Sequence, residues 1–235
     1  MSETAAKEGP VKEAGKEPGK EAEKEETAPG HIRLRNRALI LEAAEEIFAE
    51  QGYRGATTAA IAERAGLPKA NVHYYFGTKE ALYRAVLDDI LTLWLGELDR
   101  LTEDSDPAEA LADYIRAKIR HSRERPLASR VYANEMIRGA KHTGDFLKND
   151  LKSLVAQKSK VLESWVRQGK IEPVDPVHLF SVIWAATQHY ADFEAQVSAL
   201  VGRRQLAAKD YDTAAETVVR MVLRGCGLSY RGAAE

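Results

Sequence analysis

Apolar residues recur at helical spacing along most of the chain. In the first such segment Ala38, Leu41, Ala44 and Phe48 lie three or four positions apart, and four glutamates fall on the other side. This spacing places the apolar side chains on one face of an amphipathic α-helix. No segment shows the sustained two-residue alternation of a half-buried β-strand, so the pattern predicts an all-α fold.

Glycine, proline and aspartate clusters divide this pattern into successive helices. Gly52 ends the first, and either Thr57 or Thr58 can cap the second, because a hydroxyl at this position accepts a hydrogen bond from the first turn. After the first helix, the predicted helices cover about 57–65, 69–75, 79–101, 107–125, 126–138, 145–169, 176–201 and 211–226.

The second and third predicted helices flank a glycine-containing turn at 66–68, which is typical of a helix-turn-helix. In this motif the second helix enters the major groove of DNA with its N-terminal residues against the base edges. Asparagine can pair with adenine, lysine and tyrosine can hold phosphates, and alanine allows close approach. The residues offered here are Lys69, Ala70, Asn71, His73 and Tyr74.

Further candidate DNA contacts flank the motif. Thr57 and Thr58 are placed to donate to phosphate from the start of the second helix, and Lys79 from the start of the fourth. Three arginines precede the first helix and are predicted to form a flexible basic arm that reads a minor groove or follows the backbone. They are Arg33, Arg35 and Arg37.

Charge is informative only when it is divided by region. The 235-residue chain has a formal net charge of -2, but residues 1–30 hold five Lys and eight Glu, whereas 31–80 hold seven Lys or Arg and six Glu. The first region repeats Lys and Glu with little to bury, and this predicts a disordered tail. The predicted organisation is therefore a tail at 1–30, a three-helix DNA-binding domain at 31–80, and a helical ligand-binding and dimerisation domain at 81–235.

Composition and motifs also restrict the class of function. The single cysteine, Cys226, excludes an internal disulfide and a cysteine-rich zinc site. No apolar run reaches the about 20 residues of a membrane span, and the N-terminus is too charged for a secretory signal, so we expect a cytoplasmic protein. Because no metal-type histidine pair, nucleophile elbow or phosphate-binding glycine loop occurs, we predict no enzyme, metal or cofactor. A helical interaction protein without DNA binding stays open as an alternative.

The stretch TAAIAERAGLPKANVHYYFGTKEAL at 58–82 resembles the DNA-binding signature of TetR-family transcriptional regulators. The aromatic run Tyr-Tyr-Phe followed by Thr-Lys-Glu-Ala-Leu is specific to that signature. The resemblance implies that His73, Tyr74 and Lys79 touch DNA and that Tyr75 supports them. It also implies that two copies bind a pseudo-palindromic operator.

A second resemblance lies in the predicted ligand-binding domain, where IWAATQHYADF at 183–193 is similar to the pyrimidine-sensing branch of the same family. It implies a repressor whose effector is uracil or thymine, and another aromatic or heterocyclic ligand is the alternative. The sign of the effector's action is not encoded in a pattern of this kind. Shorter matches to this branch occur at 129–130, 135–136, 139–140, 151–152, 165–166 and 169–170.

The residues themselves also indicate a site for a flat heterocycle. Gln188 shares a helix face with Trp184, and its amide offers a donor and an acceptor to the N–H and C=O edge of a pyrimidine. Aromatic side chains can wall such a ring, although a satisfied core amide among packed aromatics would give the same pattern. The predicted ligand-binding residues are Trp94, Tyr114, Arg130, Tyr132, Glu135, Trp184 and Gln188.

The helix predicted at 176–201 is apolar on two faces, and both must be covered. One cover is the rest of the chain and the other is a second subunit, with the choice of face left open. In the family the last two helices of each subunit form the dimer interface. The interface residues implied in this way are Leu179, Val182, Phe193, Val197, Leu200, Val218, Met221 and Val222.

Overall fold

The computed structural model describes residues 29–229 together with Met1, and all regular elements in this part of the chain are helical. The tail predicted at 1–30 lies outside the described residues except at its two ends. The helices are α1 (Pro29–Gly55), α2 (Thr58–Arg64), α3 (Lys69–Phe76), α4 (Lys79–Gly96), α5 (Pro107–Glu124), α6 (Pro126–Ile137), α7 (Gly144–Phe146), α8 (Lys152–Arg167), α9 (Pro176–Asp192), α10 (Glu194–Leu200) and α11 (Ala208–Gly225).

Of the two threonines that could cap the second helix, Thr57 forms the cap. Thr78 caps α4 in the same way, and each threonine accepts a hydrogen bond from the backbone N–H three residues on. Gly52 leaves the helical conformation with a φ of 66°, in the left-handed region that favours glycine. The chain then makes one further turn before α2.

Three predicted helices are interrupted. The one expected at 176–201 breaks at Phe193, whose φ of -120° and ψ of 32° are not helical. The one expected at 145–169 begins with α7 and a π-helical turn at Leu147–Leu151 before α8. The fourth helix ends at Gly96 and tightens into a 3-10 turn at Glu97–Arg100 instead of continuing to Leu101.

Two large apolar cores lie among the described residues, beside a smaller cluster around Ile119 and Tyr211, and α4 contributes to both large cores. The N-terminal core joins α1 to α4 and includes Ala128 and Val131 of α6. The C-terminal core joins α5, α8, α9 and α11 around the fully buried Trp165. Trp94 belongs to the first core, while Leu95 packs against the second. The fourth helix therefore contacts both of these cores.

Within residues 29–229, no helix combines the length and the apolar character needed to span a bilayer. The apolar faces of these helices are instead buried in the cores. Cys226 is buried in the C-terminal core, and this burial raises the pKa of its thiol.

Candidate nucleic-acid interface and effector pocket

The second and third helices form a helix-turn-helix whose turn depends on Gly66. Its φ of 65° is left-handed, and the Leu67 N–H closes the turn on the Ala62 carbonyl oxygen at 3.0 Å. Ile61 of α2 and Val72 of α3 are buried in the N-terminal core. Because one face of α3 is anchored in this way, its opposite face is presented to solvent.

The exposed face of α3 carries four of the five residues predicted to contact DNA. Lys69, Ala70, His73 and Tyr74 are exposed, and Asn71 is half-buried beside them. Tyr74 is 72% exposed. A large aromatic side chain held in solvent contributes little to the core, so a role in binding explains it better than a role in packing.

His73 is held in a defined orientation at the end of α3. Its Nδ1 lies 3.0 Å from the carbonyl oxygen of Gly77. A carbonyl oxygen can only accept, so Nδ1 carries the proton in this contact and Nε2 of the neutral ring is an acceptor. An acceptor here can meet an amino group at a base edge.

Two predicted phosphate contacts already have partners inside the protein. Thr57 Oγ1 accepts from the Ala60 N–H at 3.1 Å, and its own hydroxyl hydrogen is left to donate. Lys79 Nζ donates to the carbonyl oxygens of Tyr53 and Ala56, each at 2.9 Å. An ammonium group has three donors, so one remains for a phosphate.

The basic residues of α1 do not form the predicted arm. Arg33 and Arg35 are exposed on the first turns of α1, which is helical from Pro29. The guanidinium of Arg37 lies 5.5 Å from the ring centroid of Phe76, which places the start of α1 beside the end of α3. Thr58, in the first turn of α2, is half-buried.

Several glutamates of α1 form ion pairs with arginines of other elements. Arg64 of α2 bonds to Glu46 and, through both terminal nitrogens, to Glu50 at 3.2 and 3.3 Å. Glu45 pairs with Arg125, in the turn between α5 and α6. These pairs compensate the negative charges locally, so the net charge of -2 does not describe the potential at α3.

A pocket lies between α4, α5, α6 and α9, and it brings together five of the seven residues predicted to bind an effector. Its lining consists of Leu91, Trp94, Leu95, Tyr114, Lys118, Tyr132, Leu151, Trp184 and Gln188.

The aromatic walls of the pocket are fixed by contacts with one another. Trp94 and Tyr132 meet edge to face with their ring centroids 5.2 Å apart. Trp184 stacks on Phe180, and its Nε1 donates to Tyr114 Oη at 2.7 Å. Burial raises the pKa of the Tyr114 hydroxyl, which therefore stays protonated at neutral pH.

The pocket is small. Its cavity volume is about 30 Å³, which is room for about two water molecules. A six-membered heterocycle is several times larger and enters only when the walls separate. Leu91, Trp94 and Leu95 of this lining belong to α4, the helix that follows the helix-turn-helix.

Sequence reasoning missed Lys118, which is 3% exposed and lines the pocket. Its Nζ lies 4.0 Å from the centroid of the Trp94 ring. Burial lowers the pKa of this amine to about 7, although the carboxylates of Glu97 and Asp192 oppose the shift. A signal was present, because Lys118 follows Tyr114 by four positions and so shares its helix face.

Arg130 and Glu135 do not reach the pocket, which corrects two of the predicted ligand contacts. Arg130 donates to the Ala191 carbonyl oxygen and to Glu194. It lies two positions from Tyr132, and a separation of about 200° on a helix turns the two side chains to opposite sides. Glu135 lies about one turn after Tyr132 on α6, and its side chain faces Tyr83 at the start of α4 instead of the pocket.

Glu135 joins the loop after α6 to the start of α4. Its carboxylate accepts from Tyr83 Oη at 3.3 Å and from the His142 backbone N–H at 2.6 Å. The His142 ring lies against the rings of Tyr53 and Tyr83, with centroids 4.6 and 5.1 Å away. We call these four residues, Tyr53, Tyr83, Glu135 and His142, the α6-loop clasp. The clasp links α6 and the loop after it to α4 and to the end of α1.

The predicted interface residues fall into two groups. Val182, Phe193, Leu200 and Met221 are exposed, and Leu179 and Val197 are half-buried. Val218 and Val222 are 7% and 6% exposed and pack in the chain's own C-terminal core, so they have little surface to offer a partner. This corrects the prediction for these two: the buried stripe of α11 covers α5.

Two family models match consecutive parts of the chain. The model described as "Bacterial regulatory proteins, tetR family" matches residues 40–86, and "YcdC-like protein, C-terminal region" matches residues 87–229. The chain therefore belongs to the TetR family of DNA-binding transcriptional regulators. Regulators of this family are not enzymes, and they bind operator DNA and small-molecule effectors as dimers.

Within the family, the chain is 45% identical over 186 residues to the HTH-type transcriptional regulator RutR of Escherichia coli (strain K12), covering 79% of this chain and 88% of RutR. The HTH-type transcriptional repressor ComR of the same strain is 29% identical over 159 residues, covering 64% of this chain and 75% of ComR. These relatives confirm the predicted family, and the chain is similar to RutR over most of its length.

Solved structures of the family share the fold. The ketosteroid transcriptional regulator KstR2 of Mycobacterium tuberculosis superposes with a TM-score of 0.64 at 20% identity, covering 80% of this chain and 93% of KstR2. AibR, solved with isovaleryl coenzyme A and operator DNA, gives 0.61 at 22% identity, covering 80% of this chain and 97% of AibR. Likeness at this level of identity supports the all-α architecture alone, which agrees with the prediction.

Proposed function

We propose that this regulator is a homodimeric repressor whose binding to operator DNA is relieved by a small planar heterocycle of the pyrimidine type, uracil or thymine. The observation that carries the proposal is the placement of Gln188 beside Trp184 and Tyr114 in a pocket that α4 also walls. An amide, an indole and a phenol offer the donors, the acceptor and the flat surfaces that such a ring needs. The resemblance of 183–193 to the pyrimidine-sensing branch supports the same assignment.

The DNA-binding half of the proposal rests on α3. Its exposed face combines Lys69 with His73 and Tyr74, which supply a cation, a ring acceptor and a phenol to phosphates and base edges. One helix of this length reads only a few base pairs, so two copies are needed for a specific operator. The exposed apolar residues of α9, α10 and α11 are the surface that we assign to the second copy.

Effector action follows from the small volume of the pocket. A heterocycle must move the pocket walls apart to fit, and one wall residue, Trp94, lies near the end of α4, whose first turn adjoins the helix-turn-helix. The α6-loop clasp carries the same movement to the end of α1. An effector acts only through different affinities for the two states, and a coupling of about 1–3 kcal/mol is sufficient for regulation.

The test combines DNA binding with an effector panel. Fluorescence anisotropy with DNA that flanks the protein's own gene should show binding that weakens with salt, because lysine and arginine displace counterions from phosphates. Uracil or thymine should weaken this binding and raise the melting temperature of the free protein. Salt-insensitive or absent DNA binding contradicts the regulator, whereas a response to purines alone contradicts only the pyrimidine assignment.

A further inference from the structure

Lys118 is a buried cation at the wall of the effector pocket. It is 3% exposed, and its Nζ lies over the Trp94 ring at 4.0 Å. In the described part of the chain, its ammonium group makes no hydrogen bond and no ion pair. The contact with the indole face compensates part of its lost hydration, but none of its N–H donors has an acceptor among the described residues of the protein.

The two carboxylates that act on the pKa of Lys118 already accept hydrogen bonds from other residues. Glu97 accepts from His121 Nε2 at 3.0 Å, and Asp192 accepts from the Ser129 hydroxyl at 2.6 Å. Both act on Lys118 only through space. A buried ammonium without an acceptor destabilises the folded chain, so a group that brings an acceptor into the pocket gains an unusually favourable partner.

The environment also sets the charge state of the site. Burial lowers the pKa of Lys118 to about 7, so both the protonated and the neutral form of the amine are populated near neutral pH. Burial raises the pKa of the Tyr114 and Tyr132 hydroxyls and lowers that of His121, which keeps these neighbours uncharged near pH 7. An acceptor that bonds to the ammonium stabilises its protonated form.

We propose, on the basis of the proposed function above, that Lys118 determines the effector class: it donates to an exocyclic oxo group, and it takes up a proton when the effector binds. An oxo oxygen accepts a hydrogen bond from the ammonium group. An amino group at the same place cannot accept one, because both groups then present only N–H donors. The site therefore selects oxo heterocycles over their amino counterparts. The proton comes from solvent and stays on Nζ while the effector is bound.

The proton uptake fixes the direction of the pH dependence. Below about pH 7, Lys118 is already protonated in the free protein, so the effector affinity is independent of pH there. Above this value, binding must first protonate the amine, and the affinity falls by up to about tenfold per pH unit. A residue that only shapes the pocket would not produce this profile.

The experiment is isothermal titration calorimetry on the full chain with two matched pairs of compounds, uracil with cytosine and hypoxanthine with adenine. Each titration is run in two buffers of different ionisation enthalpy, which gives the number of protons taken up. Lys118→Met keeps the length of the side chain and removes the charge, while Lys118→Arg keeps the charge. Circular dichroism and operator binding check that both variants fold.

For the wild-type protein we expect uracil to bind more tightly than cytosine, with a fraction of a proton taken up at pH 7 and more at pH 8. In Lys118→Met, uracil should bind about 10- to 100-fold more weakly, because a hydrogen bond to a charged group is lost. The proton uptake should disappear, and the preference for uracil over cytosine should shrink. Lys118→Arg should keep the preference without the uptake, because arginine stays charged.

The outcomes separate this inference from the proposed function. If uracil binds the wild-type protein and Lys118→Met changes neither its affinity nor the proton uptake, the role of Lys118 is wrong and the pyrimidine site stands. If hypoxanthine binds and uracil does not, the pyrimidine assignment fails, and the preference for hypoxanthine over adenine tests Lys118. If none of the four compounds binds, both are overturned.

Discussion

Trp184 Nε1 donates a hydrogen bond to Tyr114 Oη at 2.7 Å, and this bond ties α9 to α5 across the effector pocket. The indole donor is satisfied by the phenol oxygen, so Trp184 needs no effector to complete its hydrogen bonding. The phenol keeps its own hydrogen, because burial raises the pKa of Tyr114. Polar recognition of an effector therefore falls on Gln188, Lys118 and the remaining donor of Tyr114.

Gln188→Leu should abolish the effector response and leave DNA binding intact. The change removes the amide that would meet the N–H and C=O edge of the effector and keeps a side chain of similar volume. Operator affinity measured by anisotropy should stay within about twofold of wild type, and uracil should no longer weaken it. Ser181→Ala, at an exposed position of the same helix, is the control. Loss of both DNA binding and effector response would assign Gln188 a structural role.

Thr57→Asp should separate capping from phosphate binding. Aspartate caps a helix at least as well as threonine, so the melting temperature should not fall, but its charge should repel phosphate and weaken operator binding about tenfold or more. Thr57→Ala loses the cap and should lower the free energy of unfolding by about 1 kcal/mol.

The control for these variants is Thr78→Ala. Thr78 caps α4 in the same way and was not predicted to contact DNA, so this change should lower stability by a similar amount without the loss of affinity. Unchanged operator affinity in Thr57→Asp would show that Thr57 serves the fold alone.

Local signals in the sequence were enough to predict the helix-turn-helix. The predictions that failed concern features that depend on tertiary contacts. Thr57 was recognisable because a cap depends on neighbouring residues only. The break at Phe193 has no local glycine or proline, and it coincides with Arg130 of α6 bonding to the Ala191 carbonyl oxygen and to Glu194. Arg130 is 61 residues from Ala191 and 64 residues from Glu194 in the sequence, and a periodic pattern within one helix cannot predict such distant contacts.

The effector pocket shows the same division. Its aromatic walls were predicted because aromatic faces can stack on a flat heterocycle. Lys118 was missed because lysine is almost never fully buried, and composition alone places it in solvent. Val218 and Val222 were assigned to a partner although they fill their own core, since an amphipathic stripe does not show which neighbour covers it.

His142→Ala should uncouple the effector from DNA while both sites keep their affinities. The change removes the ring that packs on Tyr53 and Tyr83, and it leaves the backbone N–H that bonds to Glu135. The factor by which uracil weakens operator binding should fall toward one, whereas the affinities measured separately should change by less than about threefold. Lys141→Ala is the neighbouring control. An unchanged coupling factor would show that α4 alone carries the signal.

Val182→Glu should convert the protein to a monomer. Val182 is 58% exposed on α9, and a carboxylate placed in an apolar interface lacks the partner that would compensate its desolvation. Analytical ultracentrifugation should show half the mass of the wild-type species, and operator affinity should fall because a single α3 remains. Ile137→Glu makes the same change at an exposed residue of α6, outside the predicted interface. A dimer in Val182→Glu would place the interface on another face.

Lys118→Met should stabilise the protein, most strongly at and below pH 7. The folded chain releases this proton at about pH 7, whereas the unfolded chain keeps it to the ordinary value of 10.5, so the unfolded state binds more protons between these limits. The free energy of unfolding of the wild type therefore rises with pH in this window, by up to about 1.4 kcal/mol per pH unit from this group. Below pH 7 the burial penalty is fully present, and it is relieved as pH rises.

The measurement is urea unfolding of the full chain at pH 7, 8 and 9, with Lys118→Met beside the wild type. Methionine has no proton to lose, so the variant should be more stable at pH 7 and its advantage should shrink with each pH unit. Lys160→Met, at an exposed position of α8, should show a difference from wild type that does not change with pH. A constant difference in Lys118→Met would mean that Lys118 keeps its proton in the folded chain, which requires an acceptor that compensates its burial.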